Sequence, residues 1–280
     1  MGRSLQRERY FQQLGKKNKM TEEEAKAPPV FLVVDIETLD EAPPAGLIEL
    51  GWQGLVAGPE GYVANPYVEG SALFGIPEGQ VMTAFNRSIH HIDPAQLEGL
   101  PVFEMAQWTG PALNDVTHVV AHNAEFEQQW LDFGLPWVCT YKCALHAWPQ
   151  FARHGNQALK YELGMADRPE LHPPHRALPD ARVTAFILSK LLEEHDLDQL
   201  VEWSAQPKLV TKLPFGKHKG TLIAEAPSDY LDWVASPKCE AADEALRYAC
   251  RAELARRAQA QPTVAEVLDY GRYEREEGDR

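Results

Sequence analysis

Val30 to Ile36 is a short apolar run, β-branched at several positions, and predicts a buried strand. Gly46 to Val56 and Gly61 to Val68 predict two more strands, parted by the turn signal Gly58-Pro59-Glu60-Gly61, so a hairpin beside the first strand follows. Glu78 to Ile92 and Val102 to Leu113 carry helical patterning. Thr117 to Ala121 predicts a short strand, Glu125 to Phe133 a helix closed by Gly134, and Trp137 to Thr140 a further strand. Gln157 to Leu163 reads as a short helix closed by glycine. Arg176 to Glu194 reads as a long one, with Ala181, Thr184, Ala185, Leu188 and Leu191 on one face. Strands first, then strands alternating with helices, predict an α/β fold: a mixed central sheet flanked by helices.

Outside this region the patterning thins. Residues 1–28 are polar and charged and run into Pro28-Pro29, which predicts a disordered tail with a short helix around Arg7 to Leu14. A domain over 29–195 is followed by a polar stretch and Gln206-Pro207, read as a linker over 196–208. Residues 209–260 form a compact unit: the turn FGKHKG, then APSDYLDWVAS, then a helix from Ala241 to Ala260. Residues 261–280 read as an acidic tail.

Composition narrows the function classes. The chain is 44% hydrophobic, enough for a core, and no apolar run approaches the roughly 18 residues of a membrane span. Its first twenty residues lack an apolar segment, so no secretory signal is read there, and Gln6 stands where a myristoylation motif needs Ser or Thr. Four cysteines make no disulfide scaffold, and a cytoplasmic location is expected. The net charge of −14 argues against coating nucleic acid by bulk charge, but not against gripping a strand through a local basic strip.

Three segments carry candidate chemistry. In VFLVVDIETLD, Asp35 and Glu37 are two apart on a strand and so share a face. Two like charges that close need a cation between them, and Mg2+ or Mn2+ suits such oxygen ligands. Alone, the pair is equally a strand end reaching solvent. In VVAHNAEFEQQWL a strand runs into a helix at His122-Asn123, and Glu125, Glu127 and Gln128 occupy the first turn, where acidic groups favour the helix dipole. In HRALPDA, His175 lies just before a helix that bears Asp180, and a histidine can take a proton from water near neutrality.

Together these segments resemble the DEDDh 3′→5′ exonucleases, which have a ribonuclease H-like fold. The order matches over residues 30 to about 194: DxE on the first strand, an Asn-containing junction, then His-x4-Asp. His90-His91-Ile92-Asp93 fits a short His-containing signature between the first two motifs. WVCTYKCALHAWP, NQALKYELG and HPPHRALPDA look like the exodeoxyribonuclease X branch, and LPFGKHKGTLIAEAPSDYLDWV looks like the small module that follows the nuclease domain there.

The resemblance implies a two-ion phosphodiesterase site with Mg2+, or Mn2+ in its place. Asp35, Glu37, Glu127 and Asp180 would be the acidic ligands and His175 the general base, with His172 at the wrong spacing to replace it. It implies as substrate DNA with a 3′ end, read as single-stranded, with RNA as the alternative, and release of nucleoside 5′-monophosphates in DNA repair or end processing. One position departs from the pattern. Phe126 is followed by Glu127 where Asp is usual, which lengthens the carboxylate by a methylene and puts the rate in doubt, while Glu125 is a weaker substitute. Asn123, with Lys217 and Lys219 of the FGKHKG turn, is a candidate nucleic-acid contact; the turn reads equally well as solvated and basic. Cys139, Cys143 and His146 have a zinc-like spacing but read as buried thiols, and Trp130, Trp137, Trp148 and Trp233 read as core.

Overall fold

The structure is a computed structural model that describes residues 28–107 and 110–260. The expected N-terminal tail with its short helix and the acidic C-terminal tail lie outside the described residues, apart from Pro28.

A five-stranded mixed sheet organises the larger part of the chain. β1 (Phe31–Thr38), β2 (Leu47–Gly58), β3 (Gly61–Leu73), β4 (His118–Ala121) and β5 (Trp137–Cys139) lie in the order β3-β2-β1-β4-β5. β1 is central, antiparallel to β2 and parallel to β4. The mixed central sheet and its flanking helices are the α/β architecture that the sequence patterning predicts.

Period-two alternation sorts β1 between two cores. Phe31 and Val33 enter one cluster with Val120, Val138, Leu159, Val183, Ile187, Leu188 and Leu191. Leu32, Val34 and Ile36 enter the other, with Leu47, Leu50, Val119, Ala121 and Leu131. Both faces are therefore covered, which is why the strand reads as an apolar run. The same alternation sends Asp35 and Glu37 to the face of Phe31 and Val33. That face is covered by α2 (Thr140–Ala147), α3 (Asn156–Glu162), α4 (Ala177–Glu194) and α5 (Leu197–Ala205), whereas α1 (Ala84–His90) contributes no residue to this cluster.

Several expected elements are shorter or different. The helix expected over Glu78–Ile92 is only Ala84–His90, begun by the Thr83–Asn86 capping box. Val102–Leu113 is not an α-helix over its described residues. Val102 bridges Gly75, Phe103 stacks edge-on against Phe74 with ring centroids 5.0 Å apart, and only Met105–Gln107 turns as a 3-10 helix. Glu125–Phe133 is likewise a run of turns around a 3-10 helix at Glu127–Gln129.

The stretch read as a linker contains α5, capped by Asp196, whose side chain accepts the Gln199 N–H. Leu200 of α5 is fully buried in the first core, and Ser204 accepts the Cys139 N–H at 2.8 Å. The extended connection is confined to the residues after Ala205. Beyond it, α6 (Ser228–Ala235) and α7 (Glu244–Ala260) enclose a separate cluster built on Leu213, Ile223, Leu231, Val234, Leu246 and Cys250. Trp148 is buried, Trp130 and Trp137 pack at the edge of the second core, and Trp233 is 44% exposed, against its expected place in the core. No helix among the described residues is long and apolar enough to cross a membrane.

If α5 is part of the first core, Leu200→Ala leaves a buried cavity and lowers the stability of the whole larger unit by about 3 kcal/mol. Urea unfolding of the full chain measures this. A loss within experimental error would mean that the segment is a tether.

Candidate active site

The site forms where α4 meets the edge of β1 and β2. Asp35 lies opposite Gly51 in the β1–β2 register, and Glu37 lies opposite Glu49. A Cβ on Gly51 would sit 2.3 Å from the Ala177 carbonyl carbon and the Leu178 nitrogen, so only glycine lets the first turn of α4 lie against β2 here. Glu49 fixes that turn. Its carboxylate takes a bidentate pair from Arg176 (Nε 2.8 Å, Nη2 2.9 Å) and the Ala177 N–H at 3.2 Å. A carboxylate at a helix N-terminus is also favoured by the helix dipole.

Docked this way, α4 delivers Asp180. One oxygen from each of Asp35, Glu37 and Asp180 lies within 4.8 Å of the others. Asp180 is held from two further sides: the Gln157 amide donates to Oδ1 at 2.6 Å, and the His175 backbone N–H donates to Oδ2 at 3.0 Å. His175 is exposed with φ of 56°, a left-handed conformation that its N–H bond to Asp180 helps to hold. Beneath its loop the buried Lys160 ammonium donates to the Leu171 carbonyl at 2.7 Å and lies 3.2 Å from His172 Nε2. His172 is thus committed to this support.

Glu127 is buried in the turn after β4 but falls outside the 4.8 Å group of three. Its Oε2 is buried without a hydrogen-bond partner. Glu125 is exposed, and its carboxylate pairs with Lys142 at 2.7 Å, so it does not stand in for Glu127. Asn123 is exposed at φ 77°, and its carbonyl accepts the Phe126 N–H.

The carboxylates are electrostatically frustrated. Burial, then the charges of Asp180 and Glu37, holds the Asp35 carboxyl well above its ordinary range. Burial and the Asp180 charge push Glu37 up to about 8, and burial pushes Glu127 up to about 8. Asp180 rises less, to about 6, because burial is opposed by the His175 N–H, the Lys160 charge and the Gln157 amide. Converging buried oxygens, mutual repulsion and one orphaned carboxylate oxygen fit divalent cations with oxygen ligands.

The other candidates separate from this site. The buried Cys143 thiol lies 3.4 Å from the Leu200 carbonyl and is pushed up to about 12 by burial; His146 stacks on Trp203. All four cysteines are free, and the only metal-like cluster among the described residues is Asp35, Glu37 and Asp180. The FGKHKG turn folds onto Tyr230, with the Lys217 ammonium 5.5 Å from its ring centroid. Lys217 and Lys219 are absent from the groove that His175 and Asp180 line.

A protein-family model described as "Putative quorum-sensing-regulated virulence factor" matches residues 205–239. "Exodeoxyribonuclease 10" of Escherichia coli (strain K12) is 34% identical over 123 residues, covering 41% of this chain and 55% of that protein. The chain thus spans about half the length of the curated relatives it matches. Among solved structures, "Exonuclease X in complex with 5′ overhanging duplex DNA" is similar at 24% identity and a TM-score of 0.49, over 62% of this chain and 99% of that one. The nuclease domain of 3′hExo, described as a DEDDh family member bound to rAMP, is similar at 13% identity and a TM-score of 0.46, over 60% and 94%. The chain is thus similar to an exodeoxyribonuclease over part of its length.

The raised carboxyls set a pH dependence. An unfolded carboxyl titrates near 4, whereas these folded groups reach about 6 to about 8. The folded state therefore binds more protons across that window, and the metal-free fold loses stability as pH rises from about 4 to about 8. Thermal melting in EDTA is expected to fall across this range, and excess Mn2+ to restore it at the upper end. A metal-free melting temperature that climbs steadily from pH 5 to 8, unchanged by Mn2+, would contradict this electrostatic picture.

Proposed function

We propose that the chain is a metal-dependent 3′→5′ exonuclease acting on DNA, in repair or end processing. The observation that carries this reading is the convergence of Asp35, Glu37 and Asp180, with His175 tied to Asp180 at the rim. The choice of DNA follows the relative named as an exodeoxyribonuclease. Residues 209–260 serve as a small second module behind the nuclease domain, with a hydrophobic cluster of their own.

Asp35, Glu37 and Asp180, with Glu127 beside them, would hold two divalent ions, Mg2+ or Mn2+. When bound, such ions neutralise charge on the scissile phosphate and acidify the attacking water. The protein's own groups do the rest. Gln157 and the His175 backbone fix the Asp180 carboxylate, so its oxygens keep one orientation. Arg176 and Glu49 hold the helix that carries it. His175, exposed at the rim, takes the proton from water as its oxygen attacks phosphorus. The bond from phosphorus to the 3′ oxygen breaks and that oxygen takes a proton from solvent water, leaving a nucleoside 5′-monophosphate and a strand shortened by one unit with a free 3′ hydroxyl.

A second reading, a nuclease-fold nucleic-acid binder with weakened catalysis, rests on Glu127, whose carboxylate stays outside the close group of three.

One assay separates the readings: 3′- and 5′-labelled single-stranded DNA, duplex DNA and RNA with Mg2+, Mn2+ or EDTA. Metal-dependent loss of the 3′ label from DNA is expected, abolished by Asp35→Ala and slowed at least ~100-fold by His175→Asn. Absence of metal-dependent degradation from any substrate would leave only the binding reading. Faster cleavage of RNA would replace DNA as the substrate.

A further inference from the structure

A groove of about 820 Å3 leads away from the carboxylate cluster, within the size range of ligand sites. His175 and Asp180 stand at one end. Its walls also carry Arg153, from the loop between α2 and α3, and Lys208, from the extended connection after α5. Both cations are exposed, and neither forms an ion pair among the described residues. In a chain with a net charge of −14, two uncompensated cations lining one groove are a local reversal of sign.

Lys208 is also placed. Its ammonium lies 4.3 Å from the Tyr141 ring centroid, a cation–π position that keeps the charge at the wall. Tyr141 packs edge-on against His122, whose Nε2 donates to the His154 carbonyl at 2.9 Å, and His154 lines the same groove. Burial holds His122 down to about 4, so its ring is a neutral support and adds no charge. Asp180 is the one acid lining this groove, at the catalytic end.

We infer that Lys208 and Arg153 contact the backbone phosphates of the nucleotides adjoining the scissile one, so that the segment entering the C-terminal unit forms one wall of the substrate path. This rests on the exonuclease reading and extends it: strand binding requires chain beyond α5, and the phosphate contacts come from this groove instead of the FGKHKG turn. Phosphate contacts of this kind fix register without reading sequence.

Fluorescence anisotropy of the full chain with labelled oligothymidylate in EDTA, from 50 to 200 mM KCl, tests it. Replacing both residues, Arg153→Ala with Lys208→Gln, is expected to weaken binding about 10-fold at the low-salt end and to flatten the slope of log K on log[salt] by about 1.4, about 0.7 for each lost contact with a single strand. Lys208→Arg is expected to keep the wild-type slope, and Lys238→Ala, an exposed lysine elsewhere on the C-terminal unit, to behave as wild type. The Gln and Arg replacements retain a stem over Tyr141, so lost charge is separated from lost packing. A double variant with the wild-type slope, or a Lys238→Ala effect of equal size, overturns the assignment. Metal-dependent cleavage by the wild type is scored in parallel: if it proceeds while the double variant binds normally, the groove assignment alone fails, and if the wild type neither binds nor cuts, the exonuclease reading fails with it.

Discussion

The site depends on how closely α4 (Ala177–Glu194) lies on β2. Gly51 leaves room for the helix backbone, and Glu49 locks its first turn through Arg176 and the Ala177 N–H. Asp180 then meets Asp35 and Glu37 across a distance that like charges resist. The contact that assembles the site therefore works against the electrostatics of the carboxylates it gathers, and the remainder of the arrangement compensates. Gln157 and the His175 N–H satisfy Asp180, Lys160 lends it a positive field, and Arg176 does the same for Glu37. Asp35 and Glu127 receive no such cationic relief, and they are where a divalent ion changes the balance most.

Much of this was legible in the sequence where a local rule had no competitor. The shared face of Asp35 and Glu37 and the long amphipathic helix follow from period-two and helical geometry, whereas joining them to His175 and Asp180 as one site came from the resemblance to the DEDDh exonucleases; the folded chain brings Asp35, Glu37 and Asp180 together. Glu49 and Gly51 were invisible for the opposite reason. Each has its role only through a neighbour more than a hundred residues away in sequence, and an alternating strand gives no sign that one acid faces a helix terminus.

The misread elements have physical causes of the same kind. Glu125 to Phe133 has the acidic start and glycine stop of a helix, yet Phe126, Trp130 and Leu131 must all reach the second core before the chain returns to β5, and tight turns achieve this in few residues. Val102 to Leu113 is diverted by the Val102 bridge and the Phe103–Phe74 contact. The supposed linker was polar on average, but Leu197, Leu200 and Val201 share a face behind the Asp196 cap, and burial of that face decides its structure. That helix carries the chain to Lys208, which places a cation on the groove wall that composition alone would have assigned to a tether.

The central claim is that divalent ions take the place of protons at the three-carboxylate cluster. Titration calorimetry of Mn2+ near pH 7, in buffers of differing ionisation enthalpy, measures both the metal bound and the protons expelled. The account predicts Mn2+ binding with net proton release, both lost in Asp35→Asn. Binding without proton release, or binding unaffected by that substitution, would contradict it.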